Sequence, residues 1–154
     1  MQRKRVDVVR VKLELVKEST MHYLSEDGKR RKISSPKDAF DLVKDFYKEC
    51  DRETVLLLCL NTKNEPENIS VISMGSLSSS IVHPREVMKT AILSNAATLM
   101  LFHNHPSGDV KPSMEDRQIT ERLVEAGEIM GIKFLDHIIV GHDKYLSFKE
   151  ENII

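Results

Sequence analysis

The chain has 154 residues, 40% hydrophobic and 31% charged, with a formal net charge of -1. That is one domain's worth of chain with a single core, which excludes a disordered polymer, and its near-neutral charge argues against a dedicated polyanion binder. No apolar run reaches the ~18–20 residues of a membrane helix, and no apolar stretch follows the basic start, so neither a membrane-spanning nor a secreted protein is expected.

Residues 1–32 carry ten Lys/Arg against five Asp/Glu. Within them Val9, Val11, Leu13 and Leu15 alternate with polar residues, the period of a strand with one buried face. Met21–Leu24 suits a hairpin partner, with Asp27-Gly28 as a nearby turn. Residues 1–33 are thus expected to form a basic strand or hairpin extension, whose charge reads first as a solvated face. Ser35 and Pro36 then open a helix that runs to about Cys50. Its stripe of Phe40, Val43 and Phe46/Tyr47 is expected to pack into the core. Thr54–Leu60 is almost wholly apolar, as in a central strand buried on both faces. Ile69–Leu77 is its expected hairpin partner, followed by a serine-rich stretch over residues 76–80.

Pro84 opens a second helix, with Val87, Met88 and Ala91 inward and Asn95 as its stop. Ala97–Phe102 reads as another central strand. A loop over residues 103–112 leads into a third helix, from about Ser113 to Met130. Ile119, Leu123, Ala126 and Met130 make its expected buried face and Gly131 its C-terminal cap. Phe134–Val140 and Tyr145–Phe148 close the sheet through a turn at residues 141–143. Strands interleaved with three helices predict an α/β fold, a three-layer-like sandwich of helices around a mixed central sheet. Cys50 and Cys59, with no Cys-x-x-Cys spacing, read as small buried hydrophobes in a reducing cytoplasm.

The chemistry concentrates in residues 103–116. His103 and His105 sit two apart at the end of an apolar strand, so both imidazoles share one face. A helix begins about ten residues later with Asp116 in its first turn, and Pro106, Gly108 and Pro112 let the loop fold back. Two histidines and one aspartate make three N/O ligands, the count of a catalytic zinc site with a fourth position open to water. Singly, each feature has a plainer reading: Ser113 and Asp116 have the spacing of a capping box. Asp109 is a rival ligand that reads better as a turn residue. Asp136 and His137 suit partners that orient a ligand histidine. His22, His83 and His142 have no metal-spaced neighbours.

The segment resembles the JAMM metal-binding motif of JAB/MPN metalloproteases, and more narrowly the chain resembles the RadC family. The phrases that carry the resemblance are residues 60–64, 82–86, 95–97, 103–109 and 135–137, and it covers residues 34–150. The resemblance implies a JAB/MPN, cytidine-deaminase-like fold in a single domain. It implies one zinc per chain at His103, His105 and Asp116, with Ser113 as the motif serine that stabilises the oxyanion. It also implies an upstream glutamate as general base. Glu53, just before the central strand, is preferred over Glu86 in the second helix. The implied reaction is hydrolysis of a peptide or isopeptide bond, with a peptide or protein as partner. Longer members carry an N-terminal helix-hairpin-helix region, which this chain is expected to lack. The family's link to DNA repair supplies the alternative, a nucleic-acid- or protein-binding module with little turnover. The acidic net charge and 5% aromatic content lead us to expect weak nucleic-acid binding. The serine-rich edge near residues 76–80 leaves two roles open, dimerisation or the addition of a substrate strand.

Overall fold

A computed structural model describes residues 32–75 and 82–154. The expected N-terminal strand, its hairpin and the serine-rich stretch lie outside the described residues. The first helix, α1 (Pro36–Lys48), starts where Ser35 and Asp38 form a capping box: each side chain accepts the other's backbone N–H. There follow β1 (Thr54–Leu60), β2 (Pro66–Met74), α2 (Pro84–Leu93), β3 (Thr98–Asn104), α3 (Met114–Met130), β4 (Lys133–Val140) and β5 (Tyr145–Ser147). The five strands form one sheet in the order β2-β1-β3-β4-β5. Among the described strands only β3 and β4 run parallel, joined by α3 as a crossover. The fold is therefore α/β around a mixed sheet.

Helices cover both faces, because β1 and β3 are apolar on both. Val55, Leu57 and Cys59 pack with Leu99, Leu101, Val87, Ala91 and Leu123, beneath α2 and α3. Leu56, Leu58 and Leu60 pack with Met100, Phe102, Phe40 and Val43, beneath α1. All seven residues of β1 are buried, as expected of a central strand. The aromatic stripe of α1 is core, and the Tyr47 hydroxyl donates to the carbonyl of Thr54. β2 is an edge strand that starts at Pro66, a position where the missing N–H costs no ladder bond. Among the described residues no helix is long and apolar enough to cross a membrane.

The inward stripe of α3 differs from the expected one. Asp116, Ile119, Thr120, Leu123 and Gly127 are buried, whereas Ala126 is only half-buried and Met130 is 47% exposed. The stripe passes through Gly127 because the helix there lies directly against the start of β4. A Cβ at Gly127 would stand 2.4 Å from the carbonyl oxygen of Ile132. The helix ends at Gly131, whose φ of 67° is the left-handed cap that glycine adopts without strain. Gly127→Ala gains about 1 kcal/mol of helix propensity. Overpacking against rigid backbone costs about 1–3 kcal/mol, so the urea midpoint is expected to fall. A raised midpoint would mean that α3 can slide away from β4.

Candidate metal centre

β3 delivers the two histidines. His103 follows Leu99 and Leu101 on the face beneath α2 and α3, and it pairs in register with Val55 of β1. The chain then turns through Pro106 and Gly108. A Cβ at Gly108 would stand 2.5 Å from the ring of His142, and its φ is +74°, so the turn suits glycine on both counts. The loop brings the N-terminus of α3 back over the same face. Ser113 caps the helix, its Oγ accepting the N–H of Asp116, while Asp116 Oδ2 accepts the N–H of Ser113 at 2.7 Å. The capping box and the site thus share residues: the cap locks the Asp116 carboxylate in position.

His103 Nε2 lies 2.9 Å from His105 Nε2. Asp116 Oδ1 lies 3.2 Å from His103 Nε2, and Oδ2 lies 3.6 Å from His105 Nε2. Three atoms each about 2.1 Å from one tetrahedral ion would stand about 3.4 Å apart, so these separations bracket that value. Asp116 Oδ1 is buried and makes no hydrogen bond. A buried anionic oxygen without a donor is costly unless a cation completes it. Two imidazoles and a carboxylate suit a divalent transition metal.

Glu53 stands beside this group. Its carboxylate, His103 and His105 each offer an atom, all within 4.8 Å of one another, a cluster that could hold a metal ion. Asp116 is fully buried and fixed by its cap, whereas Glu53 is half-buried just before β1. Asn104, pointing to the opposite face from the histidines, holds Glu53 in place. Its Oδ1 accepts the N–H of Thr54 at 2.8 Å and its Nδ2 donates to the carbonyl of Arg52. Gly75 N–H donates to the carbonyl of Glu53 itself. Glu86 is outside the cluster, on the surface of α2, where its carboxylate pairs with Lys89 and Arg85.

The remaining candidates separate cleanly. The Asp109 carboxylate accepts the N–H of Lys111, a turn role, and its carbonyl accepts from His105 Nδ1 at 2.7 Å. The Asp136 carboxylate bonds to no imidazole ring: it accepts from Ser147 Oγ and from the backbone N–H groups of His137 and Lys149, tying down the C-terminal turn. His137 does reach His103, Nε2 to Nδ1 at 2.8 Å. Thr120, one turn along α3 from Asp116, reaches His137. Neither Asn104 nor Thr120 carried a signal readable in the sequence, because each reaches a group that only folding brings near: the backbone at residues 52–54 for Asn104 and the His137 ring for Thr120.

The electrostatics follow from burial and neighbours. Burial opposes ionisation of Asp116, but His103, His105 and the Ser113 N–H outweigh it and hold the carboxyl well below its usual range. The Asp116 carboxylate raises the pKa of His105. Burial pushes His137 far below the ordinary imidazole value. A cavity of about 270 Å³ opens beside His105, lined also by Lys44, Tyr47, Asn104, Pro106 and His142.

A UPF0758 protein of Methanosarcina barkeri is 47% identical over 125 residues, 81% of this chain and 55% of its own length. A UPF0758 protein of Clostridium acetobutylicum is 52% identical over 123 residues, 80% of this chain and 54% of its own. The chain spans about half the length of the curated relatives it matches. The RadC-like JAB domain matches residues 33–153, the segment that contains the sheet, all three helices and the cluster. On that match, and with a mixed five-stranded sheet consistent with a JAB/MPN fold, the chain belongs to the RadC-like JAB domain family.

Proposed function

We propose that this chain is a metal-dependent hydrolase of peptide or isopeptide bonds, with one zinc per chain held by His103, His105 and Asp116. The observation that carries this reading is the convergence of two imidazole nitrogens on the buried Asp116 carboxylate, one oxygen of which makes no hydrogen bond, with a second carboxylate beside them. When bound, a zinc ion supplies Lewis acidity that polarises a carbonyl and acidifies a water. The chain's own residues supply the rest. Glu53 accepts the proton of the attacking water and returns it to the leaving amine. Ser113 Oγ already accepts from the N–H of Asp116, so its own proton is available to a developing oxyanion. The α3 cap holds Asp116 rigid while the loop over residues 105–110 stays open to substrate. The substrate class we assign on this reading is a peptide or protein chain.

The test offers the purified chain linear peptides and lysine-linked isopeptides and follows the appearance of new amines. Cleavage should vanish with a chelator and return with added zinc. Cleavage indifferent to chelation would overturn the metal-dependent reading. A zinc-loaded chain that cleaves neither bond class would favour a binding module.

A further inference from the structure

The contacts behind His103 form a chain that starts and ends on the same residue. The Thr120 hydroxyl lies 2.6 Å from the backbone carbonyl of Asp116. It lies 2.6 Å from His137 Nδ1 as well. His137 Nε2 lies 2.8 Å from His103 Nδ1, and His103 Nε2 faces the Asp116 carboxylate. His103, Thr120 and His137 are all buried, with no exposed surface on Thr120 or His137.

With both rings neutral, one arrangement of protons satisfies the three contacts behind His103. A carbonyl oxygen can only accept, so the single hydroxyl proton of Thr120 points at Asp116. Towards His137 the Thr120 oxygen then has only a lone pair, so His137 Nδ1 carries the proton of that contact. In the neutral ring, the proton on Nδ1 leaves Nε2 bare. It therefore accepts from His103 Nδ1, which must carry a proton. In a neutral His103 ring Nε2 is then the bare nitrogen. At His105 the carbonyl of Asp109 does the same job in one step: it takes the Nδ1 proton and leaves Nε2 bare. Both nitrogens that face each other at 2.9 Å are then acceptors with no proton between them.

We propose that His137 and Thr120 are positioning residues that lock His103 in the tautomer whose Nε2 lone pair faces the site. A β-bulge makes this reach possible. The register between β3 and β4 shifts so that Leu99 pairs with Phe134 but Met100 pairs with Asp136, leaving Leu135 as the extra residue. Phe134 packs under α3, yet Ile138 and Val140 pack under α1. The bulge has therefore switched the phase of β4, and His137 is re-aimed to the face that carries His103. The inference deepens the metal-centre reading, but the tautomers can be read in protein that holds no metal.

The experiment is a long-range ¹H–¹⁵N correlation spectrum of histidine-labelled, metal-stripped protein at mildly alkaline pH. His103 and His137 should both show a protonated Nδ1 and a bare Nε2. Thr120→Val keeps the shape and removes the acceptor. His137 should then move its proton to Nε2 and drive His103 to the opposite tautomer, so both rings switch together. Thr120→Ser should restore the wild-type spectrum. Zinc affinity, measured by chelator competition, should fall roughly 10–100-fold in Thr120→Val and recover in Thr120→Ser. A protonated His103 Nε2 in the wild-type spectrum would overturn the proposal, as would a His103 tautomer unmoved by Thr120→Val. Wild-type tautomers as assigned, in a protein that fails to take up zinc, would uphold the locking while removing the metal reading.

Discussion

His105→Ala protein is expected to lose its zinc, from about one ion per chain to near none, while melting close to wild type. The two halves of that expectation have separate causes. Three protein ligands are the fewest that hold a catalytic zinc tightly, so losing one leaves an incomplete site. The fold, however, asks little of this side chain. It is partly exposed, and its Nδ1 bonds to a carbonyl in the same loop. His103→Ala should also empty the site, but at a structural cost. His103 is buried in the sheet, and its removal leaves His137 Nε2 without a partner, a penalty of about 1–3 kcal/mol. Metal analysis beside a thermal melt separates the two effects. A full zinc complement in His105→Ala would remove that residue from the site. Zinc must also compete with protons for the imidazoles. Asp116 holds His105 protonated to a higher pH than usual. Zinc affinity should therefore fall as pH drops through the imidazole range and rise above it.

Glu53→Gln is expected to keep its zinc and lose hydrolysis by roughly 10²–10⁴-fold. The substitution preserves shape and one acceptor oxygen but removes the base. The backbone at this position is held by Asn104, Gly75 and the start of β1, so the glutamine should occupy the same place. Glu86→Gln should change turnover little, because that carboxylate spends its charge on Lys89 and Arg85 at the surface. The measurement is turnover on whichever bond class is cleaved, with metal content determined on the same preparations. Zinc lost along with activity in Glu53→Gln would make Glu53 a ligand rather than the base. Unchanged turnover would leave the mechanism without its proton acceptor.

The sequence by itself determined the elements and the chemistry of the motif, and the reason is local. The continuous apolar run at residues 54–60 admits only a strand buried on both sides, and the structure has one there. Ser35-Pro36 and Gly131 start and stop helices through bonds within a few residues of themselves. Two histidines two apart on a strand share a face in any fold. What the tertiary structure decided lies across elements. The inward stripe of α3 passes through Gly127 rather than Met130, because the start of β4 comes within contact of it. Asn104 sits between two prominent histidines yet serves the opposite face, clasping the backbone on either side of Glu53. Simple alternation along residues 133–140 puts Phe134, Asp136 and Ile138 on one face and His137 on the other. A single extra residue at Leu135 breaks that alternation and turns His137 towards His103. A bulge depends on how a neighbouring strand pairs, which no periodicity within one strand records. The contact between His137 and His103, and the Thr120 hydroxyl behind it, are therefore products of strand register and of α3, not of the motif alone.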